Sequence, residues 1–475
     1  METNDSLKRN LKSRHITMMA IGSSVGTGLF LASGSMISES GPGGALLGYI
    51  LVGFAVYLVM NGLGEMSTYN PVSGSIMTFS KEYVDKSLGF SVGWIYYYME
   101  ISGIILEIST AGILMKFWFP EHPLWIFTII FFVLMLFINL LGVKIFGEVE
   151  FWMTTIKVVT IIVFIILGLL IIFGFIGTNP LGFSNFFYKG GPFIGNISSF
   201  FSILLLCALS FGGTELIGVV AGESENPSKS IPKAINNTIF RILIFYIGTM
   251  FIVGAMIPYD STNLLGSHSN LAISPFTLLF SYAHLPAVES IMNFIILTVV
   301  ISAGNAAFYA STRMLYSLGK EGYGSKKFLL SKNGIPFFSI MISLIIGIVC
   351  VLIGILGYEA YLILIEGTGI CYLILWSCMG LAHYRFRKAY IRQGLDLNKL
   401  KFKGKLFPIG PIIIVCFFIG ILLYNLILGL LTDWIITLNL YISVIIFIVL
   451  FVYYKLKYKT KLIPLEKINL ENTNE

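Results

Sequence analysis

The chain has 475 residues, of which 56% are hydrophobic and 12% charged, with a mean hydropathy of +0.86. Soluble domains carry about 25% charged residues, so a water-soluble fold is excluded. The net charge of +7 then reads as membrane topology and contact with anionic lipid, not as nucleic-acid binding.

Apolar residues fall in continuous blocks near the ~20 residues that a spanning helix needs. Alternating barrel strands would not give such runs. In chain order the predicted spans are Ile16–Ser40, Gly44–Met66, Leu88–Phe117, Leu124–Leu141, Phe151–Ile176 and Ile197–Gly222. They continue with Ile239–Pro258, Pro286–Leu318, Phe337–Leu356, Tyr361–Tyr384, Ile409–Leu431 and Trp434–Tyr454. The expected fold class is an all-α membrane protein with twelve transmembrane helices. The first block is too long for a signal peptide and lacks a polar region ending in a small-residue cleavage site.

Twelve spans put both termini on one side, with the loops that follow even-numbered spans. All but three of the 31 Lys and Arg residues fall there, as at Lys8 to Arg14, Lys320 to Lys332, Arg385 to Lys405 and Lys455 to Lys467. Lys116 and Lys189 lie opposite, and Lys157 is inside a span. The positive-inside rule therefore predicts cytoplasmic termini and a multi-pass protein of the cell (inner) membrane. Cys207, Cys350, Cys371, Cys378 and Cys416 all lie within spans without paired ligand spacing, which argues against a disulfide framework or a metal site. No cofactor is expected.

The first span is interrupted at Gly22-Ser23-Ser24-Val25-Gly26-Thr27-Gly28, where glycines and hydroxyls make a poor helix interior. One reading is an unwound segment that meets a ligand; the other is a face for close helix packing. The sixth span, reading Ser210-Phe211-Gly212-Gly213-Thr214-Glu215 at its middle, favours the first. Interrupted segments at corresponding places in two halves of a transporter point to its binding site. The predicted organisation is a cytoplasmic tail over 1–15, a first five-helix repeat over 16–176 and an extracellular loop over 177–196. A second, inverted repeat over 197–384 follows, then a basic cytoplasmic loop over 385–408, two appended helices over 409–454 and a cytoplasmic tail over 455–475. Unwinding frees N–H groups at one half-helix and C=O groups at the other. The first suit a carboxylate and the second an ammonium, so a zwitterionic amino acid matches the pair, as other small polar ligands also would.

Ionisable residues within spans are functional candidates. Glu100 and Glu107 in the third span are two turns apart and share a helical face. Lys157 lies in the fifth span, Glu215 in the sixth and Glu366 in the tenth, nearer its outer end. Glu65 and Glu223 sit near cytoplasmic ends, where solvation or pairing with loop lysines is expected, for Glu65 above all. The third-span acids either pair structurally with Lys157 and backbone donors or form a negative wall that attracts a cation or carries protons. Lys157 either neutralises a glutamate permanently or gains and loses a proton during work.

These motifs resemble the amino acid–polyamine–organocation superfamily, and within it the bacterial lysine-specific permeases. The likeness runs from about Leu11 to the last span. It is carried by Arg14-His15-Ile16-Thr17-Met18, Ala20 to Phe30, Ser40-Gly41-Pro42-Gly43-Gly44-Ala45-Leu46 and Pro71-Val72-Ser73-Gly74-Ser75. Gly213 to Gly218, Ala221 to Glu225 with Ile231-Pro232, Ser302 to Asn305 and Tyr309 to Tyr316 also match. The lysine-permease likeness rests on His383-Tyr384-Arg385-Phe386-Arg387 and Phe407-Pro408-Ile409-Gly410-Pro411.

The resemblance implies a LeuT-like five-plus-five inverted repeat with broken first and sixth helices, working by alternating access. It implies that amides around Gly26, Thr27 and Gly28 hold the substrate carboxylate, with Ser23 or Ser24 nearby. Carbonyls at Ile21 and at Ser210 to Phe211 would take the α-ammonium, Gly212 would complete the break, and Phe211 would be an aromatic gate. Lys157 matches a lysine standing where sodium-coupled relatives hold the ion, which implies proton coupling. Glu107, Glu215 and Glu223 fall where related permeases carry acids. Glu100 departs from an expected aromatic residue and Glu366 from an expected Asn or Ser. Both added carboxylates favour a cationic side chain.

The sequence thus reads as a proton symporter importing a cationic amino acid, L-lysine first, whose partners are that substrate, protons and the lipid bilayer. Arginine, histidine, ornithine, a neutral amino acid or exchange remain as alternatives. A non-transporting sensor is set against by the short tails, and a channel by the paired breaks. An enzyme lacks a nucleophile–base constellation.

Overall fold

A bilayer offers no partners for backbone N–H and C=O groups, so apolar stretches must satisfy them internally as helices. The computed structural model describes residues 9–23, 25–30, 32–176, 182–261, 275–276, 288–331, 335–353 and 358–470, without side chains at 239, 241, 288–289, 346–353 and 358–365. Among these residues every regular element is helical, apart from an isolated parallel bridge between Leu11 and Ser224.

The first predicted span is in pieces: α1 (Ser13–Gly22), α2 (Thr27–Phe30) and the start of α3 (Ala32–Tyr69). α3 turns a corner at Gly41, whose φ of 76° and ψ of 168° suit glycine alone, just before Pro42. It therefore serves both the first and the second predicted blocks. Then come α4 (Ser75–Tyr83), α5 (Lys86–Met115), α6 (Leu124–Leu140) and α7 (Val143–Ile172). The sixth block is split into α8 (Ile197–Phe211) and α9 (Leu216–Val220), followed by α10 (Pro227–Asn236). α11 (Thr238–Arg241) runs through π-helical turns at Ile242–Gly248 into α12 (Thr249–Met256). The remainder is α13 (Val288–Lys320), α14 (Phe337–Ile353), α15 (Tyr358–Arg392), α16 (Ile409–Thr432), α17 (Trp434–Leu440) and α18 (Ile442–Tyr458).

Helices fall on every predicted block. Among the described residues six are long and apolar enough to cross a membrane, or seven if α17 and α18, bent by 59°, form one span. Asp433 caps α17 by accepting from the amides of Ile435 and Ile436, so a new helix starts where the last predicted loop ends.

The centre of the bundle is formed by α5, the α8–α9 stretch and α13, whose apolar windows are 72–83% buried, against 22% for α16. α5 packs along α13, α1 along α7, and α8 against α3 and α15. Outward faces are apolar, as at Ile130, Val133 and Phe137 on α6 and at Val159 and Ile166 on α7. A surface of that size suits lipid rather than water.

Two features correct the sequence reading. The predicted basic loop over 385–408 begins as helix, because Phe386, Ala389 and Tyr390 extend the buried stripe of α15 to Arg392. α4 and α10 lie outside the predicted blocks. α10 is amphipathic, burying Ser230, Ile231, Ala234 and Ile235 behind Pro227 at its first turn. The segment after α18 also docks on this basic end. Ile463 N–H donates to the Val84 carbonyl at 2.9 Å, Gln393 donates to the Leu465 and Ile468 carbonyls at 2.9 Å each, and Ile468 and Leu470 are buried.

Candidate functional site: two helix breaks around a central cavity

α1 stops at Gly22 and α2 begins at Thr27, which leaves backbone groups free in the interior. Gly22 lies directly on Thr154 of α7, so closely that a Cβ would overlap the threonine hydroxyl. That approach brings Lys157, one turn further along α7, to the end of α1. Its Nζ donates to the Gly22 carbonyl at 2.7 Å and to the Val25 carbonyl at 2.9 Å. At the opposite side of the break, Glu107 of α5 accepts the Thr27 hydroxyl at 2.6 Å, with the Thr27 amide at 3.4 Å. An ammonium thus meets the carbonyl end and a carboxyl group the amide end, the polarity that a helix interruption sets up.

The sixth-span break works differently. Gly213 sits at φ +83°, a left-handed conformation open to glycine, and interrupts the helix between α8 and α9. Its amide donates to Glu215 Oε1 at 3.2 Å, so the fully buried Glu215 turns back onto its own segment. The Gly213 carbonyl accepts the Leu216 amide at 3.2 Å and the Ser23 hydroxyl at 2.7 Å. The Ser23 bond joins the two breaks directly. Gly28 adds a second contact, since a Cβ there would stand 2.6 Å from Ser210 Cα.

Between the breaks lies a cavity of about 50 Å³, room for a few waters. Ser23, Gly26, Thr27 and Gly28 line it from the first break, and Gly212 and Gly213 from the second. α5 contributes Glu100, Gly103 and Glu107, as their helical spacing predicts. α13 supplies a floor of small side chains, Ala303, Ala306, Ala307 and Ala310, and α15 supplies Tyr372.

The other candidates lie outside this cavity. Ile21 is half-buried. Ser210 is engaged on both of its oxygens, with Tyr49 donating to its hydroxyl at 2.9 Å and Tyr246 to its carbonyl at 3.0 Å. Phe211 is buried with its ring 4.1 Å from that of Tyr246, and Tyr372 is the aromatic residue that faces the cavity. Glu366 is half-buried on α15. Glu223 is fully buried and paired with Arg313 at 3.0 Å, while Arg313 also stacks 3.8 Å over the Tyr309 ring. Ser24 lies outside the described residues, as does the side chain of Cys350. Glu65 pairs not with loop lysines but with Arg387 and His383 of α15, and it also accepts the Gly404 amide at 2.7 Å. The extension of α15 beyond its predicted end is what brings Arg387 there.

A buried acid of the central helices escaped the sequence reading. Glu150 of α7 accepts Ser302 Oγ and Asn305 Nδ2 of α13, each at 2.7 Å, and Asn139 of α6 donates to Asn305 Oδ1 at 2.7 Å. The signal was available, because Glu150 and Lys157 are two turns apart on one face. The apolar block was read from Phe151, which left Glu150 just outside. Tyr372 was missed as well; it packs on Gly212, where any Cβ would strike its ring.

Residues 15–466 match the sequence model of the amino acid permease family. A histidine permease of Lactococcus lactis subsp. cremoris (strain MG1363) is 45% identical over 475 residues, covering 99% of both chains. A lysine-specific permease of the same strain is 41% identical, over 98% of this chain and 94% of its own. The lysine-specific permease of Escherichia coli (strain K12) is 42% identical, over 95% and 94%.

Proposed function

Because the chain belongs to the amino acid permease family, we propose that it imports a basic amino acid together with protons. As a family member it is a multi-pass membrane protein that transports amino acids, and its relatives are permeases rather than enzymes. In this reading the framework is the twelve-span, LeuT-like inverted repeat working by alternating access, with the basic end and both termini in the cytoplasm.

One observation carries the choice of substrate: two carboxyl groups, Glu100 and Glu107, wall the cavity between the breaks. A cationic side chain lying against Glu100 would offset the cost of burying that acid. The substrate carboxylate would approach the amides of Gly26 and Gly28, and its ammonium the carbonyls at the end of α8. In this reading the helices around the breaks separate on one side at a time to admit and release the substrate. Alternating access demands the same movement.

Lys157 is the proposed proton-responsive group. Its charged form holds the Gly22 and Val25 carbonyls, and charge-assisted bonds are roughly twice as strong as neutral ones. Loss of the proton therefore loosens the first break. Glu107, Glu215 and Glu223 are the proposed acids of the same pathway, with Glu150 added because it lies two turns from Lys157 on the same face of α7.

L-lysine is the substrate that the sequence motifs favour. L-histidine is the second reading, supported by the 45% identity to a histidine permease and by Glu100, which departs from the lysine-permease pattern. Uptake of labelled lysine and histidine into proteoliposomes under an imposed pH gradient separates these readings. Saturable uptake of one of them that collapses with the gradient is expected. Uptake indifferent to the gradient rejects proton linkage, and competition by neutral amino acids alone rejects a basic substrate.

A further inference from the structure

An amino acid held between the breaks brings an α-ammonium with three N–H donors, and in a buried site each needs an acceptor. Much of the backbone that the breaks free is already engaged. Lys157 holds the Gly22 and Val25 carbonyls, and the Gly213 carbonyl accepts both the Ser23 hydroxyl and the Leu216 amide. The Ser210 carbonyl accepts the Tyr246 hydroxyl at 3.0 Å, and Ser210 is not part of the cavity wall. The ammonium therefore needs an acceptor beyond these four carbonyls.

Tyr372 of α15 supplies one. It lines the cavity with 8% of its surface exposed, and its hydroxyl makes no hydrogen bond among the described residues. Unlike the hydroxyl of Tyr96, it is not sealed off from open space. A phenol oxygen has lone pairs to offer as well as its own proton. The ring is fixed from two sides. Behind it the Trp376 ring lies 5.4 Å away, itself fully buried and 5.2 Å from that of Phe418 on α16. In front stands Gly212, just past the end of α8. Gly212 has φ −54° and ψ 151°, a conformation open to any residue, so its backbone does not demand glycine. The space does, because a Cβ there would overlap the Tyr372 ring and stand 2.6 Å from the hydroxyl oxygen. The glycine makes room for the phenol. The phenol oxygen consequently sits at the C-terminal end of a 15-residue helix, where the helix dipole favours a cation.

We propose that the Tyr372 hydroxyl accepts a hydrogen bond from the α-ammonium of the substrate, beside the carbonyls at the end of α8. This inference rests on the transport reading and adds to it a binding residue from a helix outside the two broken spans. The bound ammonium then joins α15 to the second break.

The test is competition for uptake by the full chain in proteoliposomes, with Tyr372→Phe, which keeps the ring against Gly212 and Trp376, set beside the wild type. Norleucine carries the α-ammonium of lysine without its side-chain charge. Its counterpart, 6-aminohexanoate, carries the side-chain charge without the α-ammonium. Loss of the hydroxyl should weaken lysine and norleucine by about tenfold each, the scale of a hydrogen bond to a charged group. It should leave 6-aminohexanoate unchanged and the maximal rate within about twofold. If histidine is the transported substrate, 3-(2-thienyl)alanine and imidazolepropionate take the places of the two analogues. Gly212→Ala, which pushes the ring aside, should give at least the same loss on the same panel and serves alone if Tyr372→Phe is not monodisperse. Unchanged affinity for the amino acid in either variant, or equal weakening of the amino acid and its deaminated analogue, overturns the proposal. No saturable uptake of either basic amino acid by the wild type overturns the transport reading itself, a separate outcome.

Discussion

At the first break, the carbonyls of Gly22 and Val25 and the amide of Thr27 meet side chains from two other helices, Lys157 on α7 and Glu107 on α5. At the sixth-span break, the Gly213 amide finds its partner two residues along, in Glu215. Both segments are glycine- and hydroxyl-rich, yet the first depends on distant charged groups and the second largely on itself. A change of protonation at Lys157 or Glu107 therefore acts on the backbone of the first span. The same change at Glu215 acts on a local turn.

The sharpest way to break this contrast is Lys157→Met. It leaves two buried carbonyls without a donor, each costing ~1–3 kcal/mol. Gradient-driven uptake into proteoliposomes should fall at least about 100-fold, and exchange should fall less. Equal loss of both would mark Lys157 as a structural clamp. Next comes a pair of glycine substitutions. Gly28→Ala places a Cβ 2.6 Å from Ser210 Cα, a backbone atom that cannot step aside. Gly26→Ala meets Glu107 Oε1 at 2.9 Å and Ala303 Cβ at 3.1 Å, and a carboxyl end can rotate. Initial uptake rates should drop by about tenfold for Gly28→Ala and a few-fold for Gly26→Ala, since overpacking typically costs ~1–3 kcal/mol.

Smaller effects compare the acids. Glu107→Gln keeps an acceptor for the Thr27 hydroxyl but removes the charge, and should raise KM for a basic substrate by about tenfold, the scale of a charged hydrogen bond. Glu215→Gln retains an acceptor for Gly213 and should cost less than about fivefold. If Glu215→Gln proved the more damaging, the self-contained reading of the second break would fail. Smallest of all, Ser23→Ala removes a single neutral bond worth ~1 kcal/mol, visible as a two- to fivefold change in rate.

Both breaks were legible in the sequence because glycine acts locally: its backbone freedom and its poor helix propensity need no knowledge of neighbours. Lys157, Glu100 and Glu107 were legible because a charge in an apolar run is conspicuous. Their partners were not. Nothing in the chain around Lys157 says that it reaches the carbonyls of Gly22 and Val25, and Arg387 lies 322 residues from Glu65. Phe211 shows the same limit from the other side. An aromatic residue beside a break can face either way, and here its ring turns toward Tyr49 and Tyr246. Glu150 was lost for a simpler reason, since an acid at the edge of a block looks interfacial until the helix is seen to start at Val143.

The hydrogen bond from Ser23 to the Gly213 carbonyl and the contact of Gly28 with Ser210 have a mechanical meaning. They make two separate discontinuities into the leaves of one hinge with a shared pin. A tilt of α1 would either carry the Gly213 segment with it or rupture the pin. While that bond holds, the Ser23 and Gly213 sides of the cavity are fastened to one another.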